Sequence, residues 1–231
     1  MDLIYRCNHL AIKLFKIGAI LDKSRSPEGK GFKLKLHEKN PEAPLSPIYL
    51  NFRTTDHPTK PGPFTPEIIR EIGQILYQRS LGLAYDQVAG IPRAGDPLAQ
   101  VFFEIWRSNS KNPLDCGIIK LDKEESSEKR QVTRIKDGHW NPGEKVLVID
   151  DMVTKADSKL EAIEALERNQ LQVRDILVLV DREGGGVDIL NAKEYNIHWV
   201  FKFTDLLSLY RKEGLITQKA HEEIKDYLRN S

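Results

Sequence analysis

Cysteine is almost missing from this chain: Cys7 and Cys116 are its 2 cysteines among 231 residues. Such a pair builds no disulfide framework and has no metal-ligand spacing, so both are expected to be buried thiols in a reducing compartment. An excess of charge is missing too. With 35 basic and 34 acidic residues the net charge is +1, so bulk electrostatics implies no nucleic-acid and no membrane partner. The one small basic cluster is Lys33, Lys35 and Lys39. No apolar run approaches the length of a membrane span. Asp2, Arg6, Lys13 and Lys16 interrupt the first apolar residues, so no signal peptide is expected and the cytoplasm is the default location. Internal repeats and low-complexity tracts are also absent.

What is present is an ordinary globular composition, 40% hydrophobic and 30% charged. The length suits one large domain or one domain with a small appendage. Leu3, Cys7, Leu10, Leu14, Ile17 and Leu21 recur at helical spacing and predict a first amphipathic helix. "FKLKL" alternates like a short half-buried strand, and "SPIYLNF" reads as another. Thr65 and Pro66 supply an N-cap and a first-turn proline for a helix running to about Leu81.

From there strands and helices alternate. "QVAGI", "CGIIKL", "KVLVI", "DILVLV" and "IHWVFKF" read as strands, with helices between and after them, except for a charged segment over 122–137. "KVLVI" is too continuously apolar to face water on either side, which predicts a central, parallel position. The pattern implies an α/β fold: a mainly parallel sheet flanked by helices, here the core from 56 to 231. Residues 1–55 are expected to form an N-terminal helix and a small hood lobe.

Ligands of open α/β sheets sit outside the carboxyl ends of the strands. Three such ends carry chemistry. After "KVLVI" come Asp150 and Asp151, then a turn into a helix whose free amides favour an anion. Paired carboxylates can grip vicinal ribose hydroxyls or help recruit Mg²⁺, which prefers oxygen ligands. A strand end followed by two aspartates can equally be plain structure, one of them a helix cap. Paired acids also open a phosphoacceptor receiver domain, but that needs more chain than follows Asp151. In "VAGIPRAGDPLA", Gly90 and Gly95 permit close backbone approach and Arg93 offers a charge to a diphosphate. In "VDREGGG", Arg182 could meet a planar carboxylate or imide edge as a fork, or form a surface ion pair.

In this order the stretches resemble the type I phosphoribosyltransferases, specifically orotate phosphoribosyltransferase. "LAIKLFKIGAI" looks like that family's first helix, and "FKLKLHEK" with "SPIYLNFR" like its segment in which a lysine, here Lys35, faces substrate. "GIPRAGDPLA" is similar to its diphosphate loop, "VLVIDDMVTKADS" to its phosphoribosyl-diphosphate motif, and "LVLVDREGGG" to the strand whose arginine reads the pyrimidine. "FKFTDLLSLY" fits its tail. The resemblance implies transfer of phosphoribosyl to orotate, with Mg²⁺ accompanying the diphosphate and no metal ligand on the protein itself. It implies that Asp150 and Asp151 hold the ribose, Thr154, Lys155, Ala156, Asp157 and Ser158 the 5′-phosphate, and Arg93 and Gly95 the diphosphate. Lys35 and Arg182 would take orotate, and Lys123 would act from a hood supplied across a homodimer interface.

Two departures stand out. The family's phosphate loop continues with small or hydroxyl residues, whereas here Lys155, Ala156 and Asp157 intervene between Thr154 and Ser158. A carboxylate about 6 Å from a phosphate charge costs roughly 3 kcal/mol per unit charge at an effective dielectric near 20. In the hood, Asp122 stands where the family has an arginine, and Glu125, Ser126, Ser127 and Glu128 follow, with no histidine before His139. Two readings therefore stay open: an enzyme of this type, or a catalytically weak homologue binding orotate, a nucleotide or a protein partner as a regulator.

Overall fold

The computed structural model describes residues 2–38, 40–57, 60–125 and 130–229. The side chains of 35, 36, 124, 125 and 130–133, all of Lys39, and the hood residues Ser126, Ser127, Glu128 and Lys129 lie outside the described residues. The chain forms two compact units, residues 1–64 with 204–231, and 65–203. The sequence reading drew its boundary at residue 55 and put the last helices with the core.

In the first unit, helix α1 (Leu3–Lys16) buries Cys7, Leu10, Ala11, Leu14 and Phe15. It stops short of the predicted Leu21 because Gly18, at φ 82°, turns the chain left-handed. The amides of Gly18 and Ala19 then cap the carbonyls of Phe15 and Leu14. The residues that follow form strand β1 (Ile20–Asp22), antiparallel to β2 (Ile48–Leu50). "FKLKL" is not a strand: Phe32 makes a single bridge to Ser46, and Lys35–Glu38 is a 3₁₀ turn. The buried His37 explains the difference. Its Nδ1 accepts the Leu34 amide at 2.9 Å and its Nε2 bonds the Ala43 carbonyl at 3.1 Å, closing a loop where a ladder was expected. Helices α6 (Phe203–Lys212) and α7 (Gln218–Arg229) follow the second unit in sequence. The fully buried ring of Tyr210 of α6 packs tilted against Phe15 with centroids 4.9 Å apart, and its hydroxyl donates to the Ala11 carbonyl.

The second unit opens with α2 (Pro66–Ser80), whose N-cap Thr65 accepts the Ile68 amide as expected. It continues through β3 (Gln87–Gly90), α3 (Gly95–Asn109), β4 (Gly117–Glu125), β5 (Arg130–Asp137) and β6 (Lys145–Val153). Then come α4 (Asp157–Glu167), β7 (Gln172–Asp181), α5 (Gly186–Asn191) and β8 (Asn196–Lys202). The sheet order is β5-β4-β3-β6-β7-β8, parallel except for β5. Residues Val146–Ile149 are 2% exposed or less, as the apolar run of β6 requires of a strand covered on both faces. On one face Ala89, Val148, Ile176 and Val178 meet Ala162, Ile163 and Leu166 of α4. The alternate residues face α2 and α3, which approach each other closely at Gly73, where a methyl would sit 2.7 Å from Val101.

Within 122–137, expected as a charged loop, β5 runs antiparallel along β4. Alternation explains it. Leu121 pairs with Ile135 on the core side, and the next pair, Asp122 and Arg134, is an outward ion pair at 3.0 Å.

Candidate active site

Three parallel strands end side by side. Gly90 of β3 stands level with Lys120 of β4 and Ile149 of β6, so the turn after β3 and the two aspartates after Ile149 open at one edge of the sheet. The turn is held by the Ile91 amide on the Ile149 carbonyl and the Gly95 amide on the Ile91 carbonyl, each at 2.9 Å. Its Pro92–Arg93 peptide is cis. Glycine is required at the helix start: a Cβ on Gly95 would lie 2.5 Å from the Ile149 carbonyl oxygen and 3.2 Å from Asp150. The turn thus brings Gly95 against Asp150.

Asp150 is 5% exposed and Asp151 half-buried. Asp150 Oδ1 accepts the Asp151 amide at 2.9 Å, and Asp151 Oδ1 accepts the Met152 amide at 2.8 Å. Asp150 Oδ2 is paired with Lys159 Nζ at 2.5 Å, and the same ammonium donates to the Met152 carbonyl. Burial, and then the neighbouring Asp150 carboxylate, push Asp151 up to about 8, with Lys159 pulling the other way.

The following turn carries Thr154, half-buried, then Lys155 and Asp157, both exposed, around Ala156 at 1% exposure. Ala156, one of the residues that depart from the family's pattern, belongs to the core cluster. Asp157 opens α4, where the helix dipole favours an acid, and its exposure lets solvent screen it. The repulsion expected from the sequence is reduced accordingly. The strand-end turn after β7 locks onto this loop. The Arg182 amide donates to the Val153 carbonyl at 2.8 Å and the Gly186 amide to the Thr154 carbonyl at 3.1 Å. A Cβ on Gly184 would lie 2.7 Å from that Thr154 oxygen, so the glycines allow the two loops to touch. Arg182 and the phosphate loop are therefore one assembly.

Two residues escaped the sequence reading. Asp96, in the first turn of α3, remains exposed, but the protein crowding its carboxyl and the nearby Asp150 carboxylate push it up to about 7. Lys120, Arg93 and Lys136 oppose that shift, which places these cations around the same edge. Lys159 is the other. It shares the buried stripe of α4 with Ala162, Ile163 and Leu166, a position where helical periodicity calls for an apolar residue. Of the remaining candidates, Lys123 lies farther out on the hairpin, paired with Val132. Lys35 belongs to the other unit, and its side chain is outside the described residues.

A mainly parallel sheet with two aspartates at a strand end, and an arginine turn locked to the loop that follows them, has the fold of the type I phosphoribosyltransferases. No family model matches the chain. It is 28% identical over 188 residues to uridine 5′-monophosphate synthase of Bos taurus, covering 80% of this chain and 36% of that protein. It is 30% identical over 144 residues to orotate phosphoribosyltransferase of Aquifex aeolicus, covering 62% of this chain and 76% of the relative. The structure of Leishmania donovani UMP synthase superposes with a TM-score of 0.69 at 27% identity, over 97% of this chain and 42% of that one. The chain belongs to the orotate phosphoribosyltransferase family. It spans well under half the length of the two synthases it matches.

Proposed function

We propose that the protein transfers the phosphoribosyl group of phosphoribosyl diphosphate to orotate, giving orotidine 5′-phosphate and diphosphate, a step of pyrimidine nucleotide synthesis. The observation that carries this reading is the locked assembly of Asp150, Asp151, the 154–158 loop and Arg182 at one sheet edge. A ring nitrogen of orotate attacks the anomeric carbon and forms the new C–N bond, giving up its proton to the departing diphosphate or to solvent. The C–O bond to diphosphate breaks, and the diphosphate leaves with the electron pair. Positive charge develops on the ribose ring, so positioning and charge stabilisation supply most of the catalysis.

Of the two aspartates, Asp151 orients the ribose hydroxyls, with Asp150 tied to Lys159 behind it. The amides at the α4 start and the hydroxyls of Thr154 and Ser158 take the 5′-phosphate. Arg182 presents a fork to the orotate edge. Arg93 and the close backbone at Gly95 receive the diphosphate, and Lys123 reaches it from the hairpin. Among the described residues no three acidic, histidine or cysteine side chains gather as a metal cage. Mg²⁺ would accompany the diphosphate on the substrate's own oxygens and would neutralise leaving-group charge. A homodimer in the cytoplasm completes the reading. No described helix is long and apolar enough to cross a membrane.

Calorimetric titration with phosphoribosyl diphosphate and Mg²⁺, then with orotate, tests the assignment. Micromolar binding of the diphosphate substrate is expected. Binding of orotate or its nucleotide with no response to phosphoribosyl diphosphate would leave a regulator built on an enzyme's fold.

A further inference from the structure

Resting on the phosphoribosyl-diphosphate reading above, we infer that Lys159 is a positioning residue that neutralises Asp150 and divides the labour of the carboxylate pair. Asp150 becomes the anchor, and Asp151 presents the carboxylate that meets the ribose. The geometry begins with burial. The Lys159 side chain is 4% exposed and the Asp150 side chain 7%, so neither charge is solvated by bulk water. A lysine is unfavourable in the first turn of a helix, where the dipole repels a cation. It is costly in a core unless an anion compensates it. Here both penalties are met by one partner set, Asp150 Oδ2 and the Met152 carbonyl oxygen.

The consequence is an asymmetry between two adjacent aspartates. Each Asp150 oxygen already has a donor, Oδ1 from the Asp151 amide and Oδ2 from Lys159. Asp151 accepts the Met152 amide on Oδ1, its carboxyl bonds to that of Asp150, and it is the more exposed of the two, so it is the member of the pair that faces a ligand. The lysine also bridges two chain segments, since it ties the start of α4 to the end of β6 on either side of the 153–157 loop. The loop's entry and exit are thereby pinned to the carboxylates that precede it. Charge follows the same logic. A polyanionic substrate approaching the buried Asp150 carboxylate is repelled by it, and Lys159 cancels that charge without taking up space in the ligand loop. It stands behind the loop, where exposed Lys155 cannot act.

The test is calorimetry and steady-state kinetics on the full chain, with phosphoribosyl diphosphate and Mg²⁺ as the probe. The unsubstituted protein is titrated first. Failure to bind there counts against the proposed function itself, before Lys159 is in question. If it binds, Lys159→Met is expected to weaken binding and raise KM for phosphoribosyl diphosphate by about tenfold or more. Affinity for free orotate should stay within about threefold, since Arg182 is not in the ion pair. Adding Asp150→Asn to Lys159→Met removes the uncompensated charge and should recover most of that loss. A Lys159→Met variant with lowered thermal stability but unchanged KM would reduce Lys159 to a core ion pair and overturn the inference. So would a double variant no better than the single one. If Lys159→Met does not fold, the double variant decides alone, because removing both partners of a buried pair is well tolerated. Binding within about tenfold of the parent supports the anchor role, and a loss beyond about a hundredfold would mean the Asp150 carboxylate itself grips substrate.

Discussion

The phosphate loop and the hood hairpin depart equally from the family's pattern in sequence, yet the structure treats them differently. In the loop, each departure is absorbed. Ala156 turns into the core, Asp157 faces solvent at a helix start, and a buried lysine behind the loop balances an aspartate in front of it. In the hairpin, Asp122 does not stand in for an arginine but binds one, Arg134, so a pair of charges is spent on the hairpin's own outer face. A degenerate motif is thus compatible with a working site when its neighbours supply the lost chemistry.

The largest effect that would break this contrast is at Asp151. Asp151→Asn should weaken phosphoribosyl diphosphate binding by about a hundredfold, close to 3 kcal/mol. Unchanged binding in a titration would remove the ribose-gripping role. The same variant gives a test with a definite sign on stability. Because the folded-state pKa is raised to about 8 from 3.8, the folded protein holds a proton that the unfolded chain has lost across that window. Stability is therefore lost as pH rises from about 4 to about 8. Asp151→Asn should flatten that slope in thermal melts, raising Tm at pH 8 by a few degrees, roughly.

Arg182→Ala comes next, with KM for orotate expected to rise by about tenfold or more through loss of a charge-assisted fork, while melting stays near the parent's. An equal rise in KM for both substrates would assign Arg182 to loop integrity instead. Gly95→Ala forces a methyl to 2.5 Å from the Ile149 oxygen. It should cost about 1–3 kcal/mol in denaturant unfolding, and a neutral result would mean that α3 can shift away from β6. Asp157→Gly is the smallest change. Because its carboxylate is exposed, phosphoribosyl diphosphate affinity should improve by less than about threefold. A gain of about a hundredfold would restore the repulsion argued from sequence alone.

Much of the fold was legible because its signals are local and periodic. The apolar run 145–149, the Thr65–Pro66 helix start and the alternation after residue 85 depend on neighbours in the chain. "FKLKL" misled because three apolar residues at alternate positions say nothing of His37, whose two ring bonds close the segment into a loop. The hairpin was hidden by its charges. Its core side rests on single residues such as Leu121 and Ile135, separated by polar ones. Of the site, the residues at strand ends could be found, since Asp150, Asp151, Gly95 and Arg182 stand where a parallel sheet exposes ligands. Lys159 could not, because a lysine announces burial only by interrupting an apolar stripe. Asp96 gave no signal at all; only the meeting of α3 with β6 brings it near Asp150.

The central claim is that the loop's chemistry, though altered, still serves phosphoribosyl transfer. It is tested most directly by mixing the purified protein with orotate, phosphoribosyl diphosphate and Mg²⁺ and following orotate consumption and diphosphate release together. The account predicts that both proceed in equal amounts and that Asp151→Asn slows both. Orotate that binds but is not consumed, at protein concentrations that saturate it, would contradict the account.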